Sequence, residues 1–356
     1  MGALSRPTIA FSRPQIFNPD AADDFHSPTA EQITLTQAYF QFLEPLLSDR
    51  AKATRTAIKG AIDNWARITE DPPVSAITDL SLLAFRQARL ADVPPGSSEK
   101  SAWTVNKDLR GIRRVLRHLG PRSHGNPAGL GLISIIPYCE MLAAMPGELR
   151  IASDAELSAL FSACDVATWP RTRVPAPQLW RALLVCAYNW GANRQDLYRL
   201  SDVSIAAGDG RNYGPRTDRL YVRFVRQKTR RKKPQPLVIP LNATVAMHVQ
   251  GLLCPGERLF PFPAQNHRDF KRQWDRIHAD AGISLDRKIH FQDLRKTCNT
   301  RFDEISAGIG EWILGHAARD VNRKFYLDVS ARILDAVDRL PQPSGFKSLD
   351  RQRRLF

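Results

Sequence analysis

The sequence has no CxxC pair. Its five cysteines (Cys139, Cys164, Cys186, Cys254 and Cys298) are scattered and odd in number. That distribution excludes a disulfide scaffold and fits reduced, buried thiols of a cytosolic protein. No apolar run approaches the roughly 18 residues that a membrane helix needs, and the N-terminus lacks the charged-then-apolar order of a secretory signal. Histidines and cysteines do not fall at metal-ligand spacing, and no glycine-rich phosphate loop follows a strand. No metal and no cofactor is therefore expected. Internal repeats are absent as well. Acidic residues are scarce: 36 Asp and Glu stand against 51 Lys and Arg, a formal net charge of +15 over 356 residues. The expectation is a soluble cytoplasmic protein whose partner is a polyanion, most simply nucleic acid.

Apolar residues make up 43% of the chain, enough for a real core. The length suggests about two domains at roughly 150 residues each. Residues 1–28, with four prolines and the acidic cluster Asp20, Asp23 and Asp24, read as a flexible arm. From Thr29 the apolar spacing turns helical. Four helices are expected up to residue 119, the later three near 51–69, from Asp79, and over 102–119. The last carries Val105, Leu109, Ile112, Val115, Leu116 and Leu119 on one face and Lys107, Arg110, Arg113, Arg114 and Arg117 on another. A Gly/Pro-rich stretch makes 120–151 a linker. The capping box Ser153-Asp154-Ala155-Glu156 opens a second domain over 152–340. There, helices over 177–189 and 195–201 break at Trp190-Gly191. Leu220 to Arg226 alternates like a half-exposed strand, with Leu237-Val238-Ile239 as its partner. Helices follow near Thr244, over Arg268 to Ala281, over Phe291 to Ile305, around Ile309 to Gly315, and over 329–340. Residues 341–356 read as a tail. The fold class is mainly α with a small antiparallel sheet, in two domains.

Four local clusters carry chemistry: Phe291-Gln292-Asp293-Leu294-Arg295 at a helix start, Leu314-Gly315-His316 at a helix end, Tyr326 ten residues later, and Lys228 beside a basic hairpin turn. In order and spacing they resemble the tyrosine recombinase (phage integrase) family. Val238-Ile239-Pro240-Leu241 after Lys228 and Thr104 to Leu109 in the fourth helix extend the resemblance over most of the chain. It implies a helical core-binding domain (29–119) and a catalytic domain (152–340) that clamp double-stranded DNA, and a homotetramer on two DNA sites, with accessory DNA-bending proteins as further partners. It also implies a nucleoid-associated location, and strand breakage and rejoining without metal or ATP. Tyr326 would be the nucleophile forming a 3′-phosphotyrosyl bond. Arg295 would bind a non-bridging oxygen, His316 would donate to the same phosphate, and Lys228 would protonate the leaving 5′ hydroxyl.

Two positions depart from the family pattern. In Gly191-Ala192-Asn193-Arg194-Gln195-Asp196-Leu197, Asn193 stands where the family has its first arginine. Arg194 follows one residue later, a rotation of about 100° on a helix. Gln292 stands where the family has His or Lys; it can donate a hydrogen bond but cannot act as acid or base, and His290 is its alternative. These departures open a second reading, a DNA-binding relative with weakened or lost catalysis; a third is a topoisomerase-type nicking enzyme. Each cluster also has a plain structural alternative. Tyr326 alone could be a core aromatic, His316 a helix-end residue, and Arg295 the partner of Asp293 or Asp303. Lys228, for which Lys232 and Lys233 are alternatives, could belong to a solvated turn. For DNA contacts the candidates are Lys107, Arg110 and Arg114 in the first domain and Arg230, Arg231 and Lys232 in the second.

Overall fold

The computed structural model describes residues 29–93, 100–145, 149–207, 219–227, 236–263, 267–315 and 330–347. The chain divides into two compact units, Met1–Pro146 and Gly147–Phe356.

In the first unit, α1 (Leu35–Ala38) starts from a capping box made by Thr34 and Gln37 and runs on through a π turn (Tyr39–Leu43) and a 3-10 turn that begins at Pro45. Then come α2 (Lys52–Thr69), α3 (Asp79–Ala91) and α4 (Ala102–Leu119). The stripe expected on α4 is fully buried, together with Trp65 of α2 and Phe85 of α3. Each such aliphatic side chain contributes roughly 1.5–3 kcal/mol when removed from water. α2 and α4 touch closely because Gly111 has no side chain: a Cβ there would sit 2.6 Å from the Cβ of Ala61.

Behind this core lies a buried polar network. Arg89 donates through Nε to Asp108 at 2.9 Å, and Asn64 donates to the same carboxylate oxygen at 3.1 Å. Arg89, Arg67 and Lys100 all converge on Asp92, and the bond from Arg67, more than any other cause, pulls that carboxyl down to about 2.

The segment expected as a linker is a correction. Residues 120–145 belong to the first unit: Ile133 and Cys139 are buried in its core, the Ile133 amide donates to the Leu119 carbonyl at 3.1 Å, and Asn106 of α4 bonds both the amide and the carbonyl of Leu142. Glycine and proline here break regular structure without freeing the segment from the surface it covers.

The second unit begins with α5 (Asp154–Ala163), opened by the Ser153–Glu156 capping box. α6 (Ala176–Trp190) is apolar nearly all round and buried over most of its length, and α7 (Arg194–Leu197) is a single turn. The sheet is a three-stranded antiparallel meander: β1 (Ile205–Ala207), β2 (Leu220–Phe224) and β3 (Leu237–Pro240), with Val222 opposite both Ile205 and Ile239. The β1 strand was not foreseen from sequence. Helices α8 (Ala243–Gln250), α9 (His267–Asp280), α10 (Phe291–Ile305), α11 (Ile309–Ile313) and α12 (Ser330–Arg339) complete the unit. Trp180, Phe262, Phe270 and Trp274 form an aromatic cluster between α6 and α9.

The apolar stripe of α12 has no obvious partner in the sequence, which taken alone suggests packing on a neighbouring subunit. It has its partner in the same chain: Ile333, Ala336, Val337 and Leu340 are buried in this unit's core, with α12 against α10 and α11. The tail reading of 341–356 is corrected in the same way for its first residues. Phe346 is fully buried, its carbonyl bonds His248 at 2.9 Å, and the Pro341 carbonyl accepts from the Tyr188 hydroxyl at 2.6 Å.

Candidate nucleic-acid site

The first turn of α10 presents Arg295. His290 is the N-cap; its amide donates to Asp293 at 3.0 Å while its side chain accepts from the N3 backbone. Just upstream, Ile289 is pinned to α9: its carbonyl accepts from the Trp274 indole at 3.0 Å and its amide donates to His278 Nε2 at 3.1 Å. That bond fixes the tautomer, since His278 must then donate from Nδ1 to the Trp274 carbonyl, 2.8 Å away. α10 therefore starts from a rigid point.

The Arg295 side chain is buried, 8% exposed. Its Nη1 donates to the Gly191 carbonyl and its Nη2 to the Leu314 carbonyl at 3.4 Å. Gly191 closes α6 in the left-handed conformation, φ +51°. A Cβ at that position would lie 2.3 Å from Leu314 Cδ2 and 3.0 Å from Cys298 Sγ, so only glycine fits. Leu314 ends α11, whose start is held by Asp303: one of its oxygens accepts from the amides of Gly308 and Gly310 at 3.1 and 3.0 Å. The motif residues 191, 295, 314 and 315, far apart in sequence, meet at one point.

Sequence reasoning missed a second buried cation there. In the sequence Arg226 is the end of an alternating strand, close to the basic hairpin turn. Alternation carries past the end of β2: Val222, Phe224 and Arg226 face inward, while Arg223 and Val225 are exposed. Arg226 is 9% exposed, and its Nε and Nη2 have no hydrogen-bond partner among the described residues. Its Nε lies 3.1 Å from where a Cβ on Gly315 would be. Burial, and then the positive Arg295 beside it, lower its pKa to about 10, so it stays cationic near neutrality.

The neighbouring acid is Asp196, also buried. Its oxygens accept from the Gln227 amide at 2.8 Å and the Asn193 side-chain amide at 3.3 Å, tying α7 to the exit of β2. Cys298 lies against the same turn; burial pushes its thiol up to about 12 despite the two guanidinium groups nearby.

Arg194 points elsewhere. Its guanidinium lies over the Phe270 ring at 4.6 Å and its Nη2 meets His267 Nδ1 at 2.9 Å. It shares no bonding partner with Arg295 among those bonds. Gln292 is exposed on the first turn of α10, and His290 beside it is exposed too. Lys228, His316, Tyr326, Arg230, Arg231, Lys232 and Lys233 lie outside the described residues.

On the first unit, Lys107, Arg110, Arg114 and Arg117 form an exposed row along α4, and no ion pair to them is found among the described residues. Arg113, half-buried, stacks on Tyr138 at 4.8 Å. Lys107, Arg110 and Arg114 border an open groove of about 370 Å³ floored by Ala53, Ala57 and Gly111. Small residues beside a row of cations leave room for a phosphate backbone to approach. Among the described residues no helix is long and apolar enough to cross a membrane, and no group of three or more His, Cys, Asp or Glu side chains could hold a metal ion.

No protein-family model matches the sequence, and no curated protein matches it. Solved structures do share the fold. A lambda integrase tetramer bound to a Holliday junction matches with TM-score 0.58 and 16% identity, over 83% of this chain and 78% of that one. A lambda integrase dimer bound to a COC′ core site matches with TM-score 0.55 and 18% identity, over 80% and 96%. The Tn1549 transposon integrase in complex with transposon right end DNA matches with TM-score 0.54 and 16% identity, over 84% and 98%. The expected fold class stands: mainly α with a small antiparallel sheet, the fold of these integrases.

Proposed function

We propose that this chain is a site-specific DNA recombinase that breaks and rejoins strands through Tyr326. The observation that carries this reading is Arg295: a buried guanidinium held by the Gly191 and Leu314 carbonyls, at the head of a helix, in a fold shared with integrases whose structures contain DNA. The Tyr326 oxygen attacks the phosphorus, gives up its proton to solvent and forms a 3′-phosphotyrosyl bond. The P–O bond to the 5′ oxygen breaks, and Lys228 gives that oxygen its proton. Rejoining runs the same steps backwards with a new 5′ hydroxyl, so the phosphodiester energy is conserved and no nucleotide is consumed. Arg295 and His316 stabilise charge on the non-bridging oxygens, a role suited to a planar cation with paired donors. The α4 row, and the basic residues Arg230, Arg231 and Lys232, hold the duplex by its phosphates. Assembly as four subunits on two DNA sites is part of the proposal.

The packing of Arg194 on Phe270 and His267 favours one alternative, a protein that binds DNA but cleaves it poorly. A substrate nicked near the cleavage site separates the two. A covalent protein–DNA adduct that forms with the wild type and vanishes in Tyr326→Phe supports the recombinase. Specific binding with no adduct in either protein supports the alternative.

A further inference from the structure

We propose that Arg226 is a second phosphate-binding arginine of this site, acting with Arg295 on one DNA phosphodiester. The inference rests on the proposed function for the identity of the anion, and on the following observations for the existence of the anion site.

A buried charge costs several kcal/mol unless it is paired and hydrogen-bonded. Arg226 is nine-tenths buried with two donor atoms unsatisfied among the described residues, and of the charges acting on it Arg295 outweighs Asp196. Its position is one where the strand pattern calls for an apolar residue, after Val222 and Phe224. Leucine or valine would fill such a place without cost, so an arginine there needs a ligand. Among the described residues Asp196 is the acid of the neighbourhood, but it already accepts bonds from Gln227 and Asn193 and makes no bond to Arg226 there.

The two cations also converge on one place. Arg295 is bonded to the Leu314 carbonyl, and Arg226 Nε lies against Gly315, the next residue. Glycine at 315 leaves the space open; any side chain there would crowd the Arg226 guanidinium at 3.1 Å. Asn193 is neutral and bonded to Asp196, and Arg194 is directed onto Phe270. Arg226 therefore supplies the charge that neither of them brings to Arg295.

The test uses the full chain and two variants, Arg226→Leu and Arg226→Lys. With the nicked substrate, Arg226→Leu should lower adduct formation by about 10²–10³-fold, the usual effect of removing one donor from a transition-state clamp, and Arg226→Lys should recover part of it. Duplex binding at low salt should change less than tenfold. Melting in chloride should be unchanged or higher for Arg226→Leu, because an unpaired buried charge has gone. Independently of cleavage, inorganic phosphate at matched ionic strength should raise the melting temperature of the wild type more than that of Arg226→Leu. Wild-type cleavage by Arg226→Leu, in a protein whose Tyr326→Phe form is dead, overturns the role of Arg226 and leaves the recombinase reading standing. An equal phosphate increment in both proteins overturns the anion site itself, since a general salt effect acts on both. Absence of any adduct with a phosphate increment lost in Arg226→Leu keeps the anion site and removes the recombinase.

Discussion

Arg295 and Gly191 stand 104 positions apart, and the guanidinium of the first donates to the carbonyl of the second. The contact exists because the α6 end turns through a left-handed residue that points its carbonyl at α10. Arg295 is thereby aimed by backbone, which is stiffer than any side-chain partner.

Gly191→Ala should therefore damage the site and the fold together. A non-glycine residue at φ +51° costs about 1–3 kcal/mol, and the added methyl would overlap Leu314 Cδ2. A melting-temperature drop with loss of strand cleavage is the expected result. A stable variant with wild-type cleavage would show that Arg295 does not depend on this turn.

Arg194→Ala should reduce cleavage less than tenfold, because the side chain is occupied by Phe270 and His267. Measured beside Arg226→Leu under single-turnover conditions, it should be much the milder change. A loss of 10² or more would move the phosphate contact back to Arg194.

The α4 row makes a quantitative claim. If Lys107, Arg110 and Arg114 each meet a phosphate, each alanine substitution should reduce the magnitude of the log K against log salt slope by about 0.9. The effect should be alike on specific and unrelated duplexes. Filter-binding or anisotropy titrations between low and moderate salt decide it, and an unchanged slope removes this face from the interface.

Acid should weaken the second unit through its buried histidines. Burial lowers the pKa of His278 and of His248 below the ordinary 6.5. The folded state therefore holds fewer protons than the unfolded chain. Stability is full above pH 6.5 and falls as the pH drops below it. Protonated His278 could no longer accept the Ile289 amide. Calorimetric melts from pH 7.5 to 5 should show a falling transition, flatter in His278→Gln. A transition that strengthens over that range would contradict the assignment of buried neutral histidines.

The elements most legible in the sequence were those with both periodicity and caps. α4 and α10 fall on the expected residues, because strong apolar stripes meet clear helix starts. β1 escaped because three residues, Ile205–Ala207, are too few to show alternation. The 120–145 segment escaped because its anchors, such as Asn106 to Leu142, are made by side chains whose partners no local pattern reveals. Arg226 was visible as an inward position of an alternating strand but was lost among neighbouring basic residues. The α12 stripe showed that a partner was needed without showing where it was; α10 and α11 supply it. Arg295 was found by its motif, while the carbonyls that aim it belong to residues whose side chains take no part.

Cys298 carries a consequence of a different sort. Its sulfur is sealed under the Gly191 turn, and of the five free thiols only that of Cys254 is not buried. Alkylating reagents should thus stain the native protein at Cys254 and leave Cys298 unmarked until the ground between α6, α10 and α11 opens. The molecule holds, directly below its two arginines, a silent gauge of whether that ground is shut.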